Sequence, residues 1–207
     1  MEVLHKYFSG LTPEQERQFA ALKTIYIKWN EKINVISRKD MENFYVHHVL
    51  HSLSIANKFN FDEGLSVMDL GTGGGFPGIP LSIFFPRVKF HLVDSVNKKL
   101  NVVKEVAAAI GIKNITIQQS RAEDIVNAKF DVVVSRAVAP LKDLLKWSKP
   151  LLNKNNRTDS PHGLICLKGG DLTKEIYESN SKPYVWEIEK LFNEEYFKNK
   201  FMIYQPI

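Results

Sequence analysis

Apolar residues recur along this chain in two rhythms. Up to about residue 57 they follow helical spacing. Phe19, Leu22, Ile25, Tyr26 and Trp29 form one stripe, and Phe44, Val49, Leu50, Leu53 and Ile55 mark a second helix predicted over 41–57. Thr12-Pro13-Glu14-Gln15 supplies a cap, a proline at the first helical position and an acid in the first turn. From Leu65 onward, short apolar runs at 65–70, 88–93, 115–118, 130–135 and 163–168 alternate with helical patterns. The clearest of those helices spans 98–110, with Leu100, Val103, Val106, Ala107 and Ile110 on one face. Such alternation predicts an α/β fold, a parallel sheet with helices on both faces. Residues 184–188 and 201–204 read as two final strands, and the polar stretch 153–162 as the loop before the fifth strand. The expected organisation is a helical cap, 1–60, on a core, 61–207, forming one compact unit.

Composition narrows the class. The 207 residues are 44% hydrophobic, enough for a sizeable core. No run approaches the roughly eighteen apolar residues of a membrane span, so no membrane partner is expected. The first residues lack the apolar stretch of a secretory signal. The single Cys166 lies in an apolar run and reads as a small buried residue; with no disulfide possible, a reducing cytoplasm is expected. A net charge of +5 favours an anionic partner such as nucleic acid, though only modestly.

The candidate chemistry centres on Gly71-Thr72-Gly73-Gly74-Gly75-Phe76-Pro77-Gly78, which joins the run ending Asp69-Leu70 to a helical segment over 79–85. A strand, a glycine turn and a helix start together make a nucleotide-type site. Gly73, Gly75 and Gly78 fit the dinucleotide spacing G-x-G-x-x-G, a pattern that arises easily among five glycines. Asp69 argues for a different ligand. At the strand end it would repel a pyrophosphate and suit the cationic amine and sulfonium of S-adenosylmethionine. A plain structural turn is the third reading.

Asp94 closes the second strand, where a carboxylate grips a ribose diol or, alternatively, caps the next helix. After the third strand, Ser120-Arg121-Ala122-Glu123-Asp124 offers a backbone N–H and an acidic acceptor for an adenine edge. Arg136 ends the fourth strand, where the strand order reverses and ligands lie; an ordinary strand-end salt bridge is the alternative. Lys98, Lys99, Arg121, Lys142, Lys146 and Lys168 fall near the same edge as candidates for phosphate contacts, each equally readable as a solvated cation. His47, His48 and His51 accompany no H-E-x-x-H pattern or cysteine, so they read as helix-surface or RNA-facing residues and no metal is expected.

Several of these segments resemble signatures of the 16S rRNA guanine-N7 methyltransferases, formerly the glucose-inhibited division protein B family. They are Trp29-Asn30-Glu31-Lys32-Ile33-Asn34-Val35-Ile36-Ser37, His48-Val49-Leu50-His51-Ser52-Leu53, the glycine loop with its Phe76-Pro77-Gly78-Ile79-Pro80 continuation, and Leu92-Val93-Asp94-Ser95. Arg121-Ala122-Glu123, Ser135-Arg136-Ala137-Val138-Ala139-Pro140-Leu141 and Leu167-Lys168-Gly169 complete the set. The resemblance covers about 26–169. It implies a class I methyltransferase, with a seven-stranded Rossmann-like sheet whose last strand is antiparallel. It further implies methyl transfer from S-adenosylmethionine to N7 of one guanosine in 16S rRNA, as naked RNA or in a small ribosomal subunit or its precursor.

Cofactor contacts are then expected from Asp69, Gly71, Gly73, Phe76, Asp94, Ala122, Glu123 and Arg136, and RNA contacts from His48, Lys98, Lys99, Arg121 and Lys168. The chain differs from the family pattern in having His51 where an acid is usual, a less basic tail and a longer 153–162 loop. No general base is expected, because guanine N7 carries a lone pair and no proton. Other readings are methylation of another RNA or a small molecule, a dinucleotide-dependent oxidoreductase, and a non-catalytic rRNA-binding assembly factor.

Overall fold

A computed structural model describes residues 1–126, 128–154 and 160–207, so the middle of the predicted 153–162 loop lies outside the described residues. Four helices precede the sheet: α1 (Glu2–Tyr7), α2 (Pro13–Asn30), α3 (Arg38–Glu42) and α4 (His51–Lys58). The Thr12–Gln15 capping box starts α2 as predicted, and Gln15 Nε2 also donates to the carbonyls of Ile83 and Phe84, tying this helix to the core.

The predicted helix over 41–57 is instead broken. After α3 the chain turns at Asn43 and winds as a π-helix from Tyr45 to Leu50 before α4 begins. The physical reason is register. The His51 N–H is shared between His48 O and Val46 O and passes over His47 O, and the His47 carbonyl accepts from Arg136 Nη1 and the Tyr196 hydroxyl. Such single-turn widenings commonly accompany functional sites.

The sheet contains β1 (Ser66–Leu70), β2 (Lys89–Asp94), β3 (Ile115–Gln119), β4 (Val132–Arg136), β5 (Gly163–Gly169), β6 (Tyr184–Glu187) and β7 (Lys200–Pro206), in the order β3-β2-β1-β4-β5-β7-β6. The first five strands are parallel, and β7 runs antiparallel to β5 and β6. Helices α5 (Gly78–Phe84), α6 (Asn97–Ile110), α7 (Leu141–Ser148) and α8 (Thr173–Ser179) connect them. The pleat divides the central strands between two apolar clusters. Val67, Val132, Val134, Ile165 and Leu167 pack on one face with α2, α4, α5 and α6; Met68, Leu70, Val133, Leu164 and Cys166 pack on the other with α7. Burial on both faces explains why these strands read as unbroken apolar runs. Leu4, Phe19, Leu22, Tyr26, Phe44 and Leu53 of the N-terminal helices belong to the first cluster. Strand order reverses between β1 and β4, which opens a crevice at their carboxyl ends.

Candidate active site

A cavity of about 710 Å³ fills that crevice. Of the residues predicted to hold a cofactor, Gly71, Gly73, Phe76, Asp94, Ala122, Glu123 and Arg136 line it; of those predicted to touch RNA, Lys99 and Arg121 do. Asp69, His48, Lys98 and Lys168 are not among its lining residues.

The glycine loop is shaped by contacts along its whole length. Gly71 has φ +71°, and a Cβ there would lie 2.5 Å from Val138 Cγ2, so this position requires glycine for conformation and for space. Gly73 has φ +57°, and a Cβ there would project into open space. The Asp94 carboxylate holds both sides of the entrance: Oδ2 accepts from Gly73 N–H and Oδ1 from Val96 N–H, each at 2.8 Å. From α2, the Tyr26 hydroxyl donates to Gly74 O at 2.6 Å while its ring packs on Phe76.

Asp69 corrects the sequence reading. It is fully buried beneath the loop, and its Oδ2 accepts from the Thr72 hydroxyl at 2.6 Å and from Gly78 N–H at 2.8 Å. Burial pushes its carboxyl up to about 7, against the pull of those two hydrogen bonds. It braces the loop from below and does not line the cavity. A different feature disfavours a dinucleotide: the loop N–H groups are largely taken. Thr72 N–H donates to Val93 O, Gly73 N–H to Asp94, Gly75 and Phe76 N–H to Thr72 O, and Gly78 N–H to Asp69. A pyrophosphate would need such donors free.

Arg136 extends from the end of β4 over the face of Phe76, its Cζ 5.1 Å from the ring centroid. Its Nη1 donates to His47 O at 3.2 Å and its Nη2 to His48 Nδ1 at 3.0 Å. Because Nδ1 accepts, the proton of neutral His48 sits on Nε2. Burial, and then the charge of Arg136, hold the His48 imidazole down to about 3. His48 is thus an acceptor for Arg136 and not an RNA-facing residue. His51 departs further from the surface role expected of it: it is buried, with its ring edge-on to Tyr196 and Phe197. His47 bonds Asp40 and stacks on Tyr196. Among the described residues no group of three or more His, Cys, Asp or Glu is arranged to hold a metal ion.

Lys168 also corrects the reading. It is 9% exposed, and its ammonium is engaged by Glu175 and the Ala139 carbonyl, which leaves it unavailable to a phosphate. The cavity is also walled by Val35, Ser95, Val96, Val138 and Trp147, none of them an expected contact. Val35 and Val138 lie inside recognised motifs, but an apolar residue in a loop carries no periodic signal of the cavity it faces. Asn30 fixes Val35 there, its Oδ1 accepting from the N–H groups of Val35 and Ile36 and its Nδ2 donating to Ile36 O.

The family described as rRNA small subunit methyltransferase G (GidB) matches residues 15–202. The chain belongs to this family. It is 55% identical to the ribosomal RNA small subunit methyltransferase G of Bacteroides thetaiotaomicron over all of both chains. It is 52% identical to the protein of that name from Phocaeicola vulgatus, over 100% of this chain and 99% of that one. Among solved structures, a SAM-dependent methyltransferase from Aquifex aeolicus superposes with a TM-score of 0.57 at 16% identity, covering 82% of this chain and 97% of the other. That last likeness speaks for the fold, the seven-stranded Rossmann-like sheet of class I methyltransferases.

Proposed function

We propose that this GidB-family methyltransferase methylates guanine N7 at one position of small-subunit rRNA, and that the cavity between Asp94 and Arg136 holds both the cofactor and the target base. When bound, S-adenosylmethionine supplies an electrophilic methyl group, to which guanine N7 offers an in-plane lone pair without needing a general base. The residues present fit this cofactor. Asp94 is already ordered by two backbone N–H groups, and its remaining lone pairs suit a ribose diol. Ala122 and Glu123 sit where an adenine edge would be read, and the open space at Gly73 leaves bare backbone for the nucleoside.

The observation that carries the reading is Arg136. Its partners among the described residues, the His47 carbonyl and the His48 ring, are uncharged. Its positive charge is therefore left for an anion of the ligands, the cofactor carboxylate or an RNA phosphate. His48 and the π-helical turn hold the guanidinium in place, so that cofactor and base meet in a fixed geometry. Residues 1–60 act as a cap on the 61–207 core: Val35 forms part of the cavity wall, and Tyr26 braces the glycine loop from behind through Gly74 O.

The substrate is the guanosine in small-subunit RNA, naked or within a ribosomal particle. Incubation of that RNA with the protein and labelled S-adenosylmethionine, followed by borohydride and aniline, should give one chain break at 7-methylguanosine. Methyl incorporation without a break would place the methyl on another atom.

A further inference from the structure

The structure assigns Lys168 and Glu175 a positioning role in the methyl transfer proposed above: their ion pair anchors the turn 136–140, which carries Arg136 and Val138 into the cavity. The role rests on that functional reading, since it is the placement of these two side chains that it serves.

The anchor has two arms. Lys168 lies next to the last residue of β5, and its Nζ donates to Ala139 O and to Glu175 Oε1, the latter at 2.5 Å. The same Glu175 oxygen accepts from Leu141 N–H at 2.6 Å, at the start of α7. The partners at 139 and 141 flank Pro140, so the turn is fastened on both sides of a residue that has no N–H of its own.

At its other end the turn leaves β4 through Ala137, which has φ +52°. A left-handed alanine costs roughly 1–2 kcal/mol, and such strain persists where the surroundings over-determine it. Ala137 N–H bonds Leu167 O at 3.3 Å, one residue before Lys168. The end of β5 thus holds the turn at 137 and, through Lys168, at 139, with Val138 between them pressed against Gly71. Neither Lys168 nor Glu175 lines the cavity; they act through the residues they hold. A buried lysine without its carboxylate would be strongly unfavourable, which ties α8 to the geometry of the cavity.

The test uses the full chain with Lys168→Met, Glu175→Ala and Glu175→Gln. Three quantities are measured: affinity for S-adenosylmethionine by calorimetry, single-turnover methyl transfer at saturating cofactor and RNA, and RNA affinity against salt. Displacement of the turn by about 1 Å should lower the rate of Lys168→Met and Glu175→Ala on the order of a hundredfold, with weaker cofactor binding because Val138 shifts. Glu175→Gln gives up the counter-charge to Lys168 but keeps a neutral acceptor for Leu141 N–H and the ammonium, so it should fold and lose less than Glu175→Ala. The slope of log affinity against log salt should match wild type in all three variants.

A slope reduced by about one in Lys168→Met would mean that the lysine contacts a phosphate directly, and would overturn the role. So would folded variants whose cofactor affinity and rate are unchanged. Cofactor affinity reads the turn without RNA, so a wild-type protein that bound cofactor but left RNA unmethylated would count against the functional reading alone.

Discussion

The Tyr26 hydroxyl donates to the Gly74 carbonyl at 2.6 Å, so α2 holds the floor of the glycine loop. The ring is fixed independently by Phe44 and Phe76. Tyr26→Phe should keep that packing and leave Gly74 O without its donor, a loss of about 1–3 kcal/mol. Chemical denaturation should show the lower stability, and calorimetry a severalfold weaker affinity for S-adenosylmethionine. Unchanged affinity would mean that the cap stabilises the fold without shaping the cavity.

Gly71 and Val138 form a matched pair. A methyl at position 71 would meet Val138 Cγ2 at 2.5 Å and Cγ1 at 2.9 Å. Gly71→Ala should weaken cofactor binding by about tenfold or more, the effect of overpacking by roughly 1–3 kcal/mol. Adding Val138→Ala should restore part of the loss and leave the cost of a left-handed alanine, roughly 1–2 kcal/mol. A double variant no better than Gly71→Ala would exclude the steric explanation. At Gly73, where the space is open, Gly73→Val should block the cavity itself, with no rescue from Val138→Ala.

Asp69 predicts an unusual pH dependence of stability. Its ordinary value is 3.8, and burial raises it to about 7 in the fold. Across that window the unfolded chain has released a proton that the folded chain retains. The contribution is therefore full below the window, falls as pH rises, and is lost above about 7. One proton corresponds to about 1.4 kcal/mol per pH unit. Urea denaturation between about pH 4.5 and 8 should show Asp69→Asn lacking this slope; parallel curves for variant and wild type would remove Asp69 as its source.

Arg136 and His48 separate positioning from proton transfer. His48 is held down to about 3 by burial and by Arg136, so it stays neutral through the working range. The single-turnover rate should show no limb assignable to a protein base between about pH 6 and 9. Arg136→Ala should lower that rate on the order of a hundredfold, and His48→Asn far less, because asparagine still offers an acceptor. A rate that falls steeply toward low pH in wild type but not in His48→Asn would assign the histidine a proton-accepting role instead.

Lys98 and Lys99 differ in what they face. Lys98 is exposed and away from the cavity, whereas Lys99 lines it. Lys98→Glu should weaken RNA binding and its salt dependence while sparing cofactor affinity; Lys99→Glu should lower both. Filter binding across a salt series and calorimetry distinguish the two outcomes.

Much of this protein was legible in the chain itself. The apolar runs near 65–70, 88–93, 115–118, 130–135 and 163–168 coincide with β1 to β5 to within two residues at either end, because burial on both faces writes an unbroken apolar segment into the sequence. The glycine turn was equally visible, since positive φ and close approach admit few other residues. Acids and cations were another matter. Asp69 and Asp94 both end strands, yet one braces the loop from below and the other faces the cavity. Lys98 and Lys168 both lie near the carboxyl edge, yet one is exposed and the other is held by Glu175 and Ala139. The π-helical turn at 45–50, Val35 in the cavity wall and the pairing of Gly71 with Val138 were likewise decided only in three dimensions. Periodicity and backbone conformation are local demands that neighbouring residues satisfy, so they can be read along the chain. Which way a polar side chain is spent depends on partners brought close only when the sheet and its cap assemble.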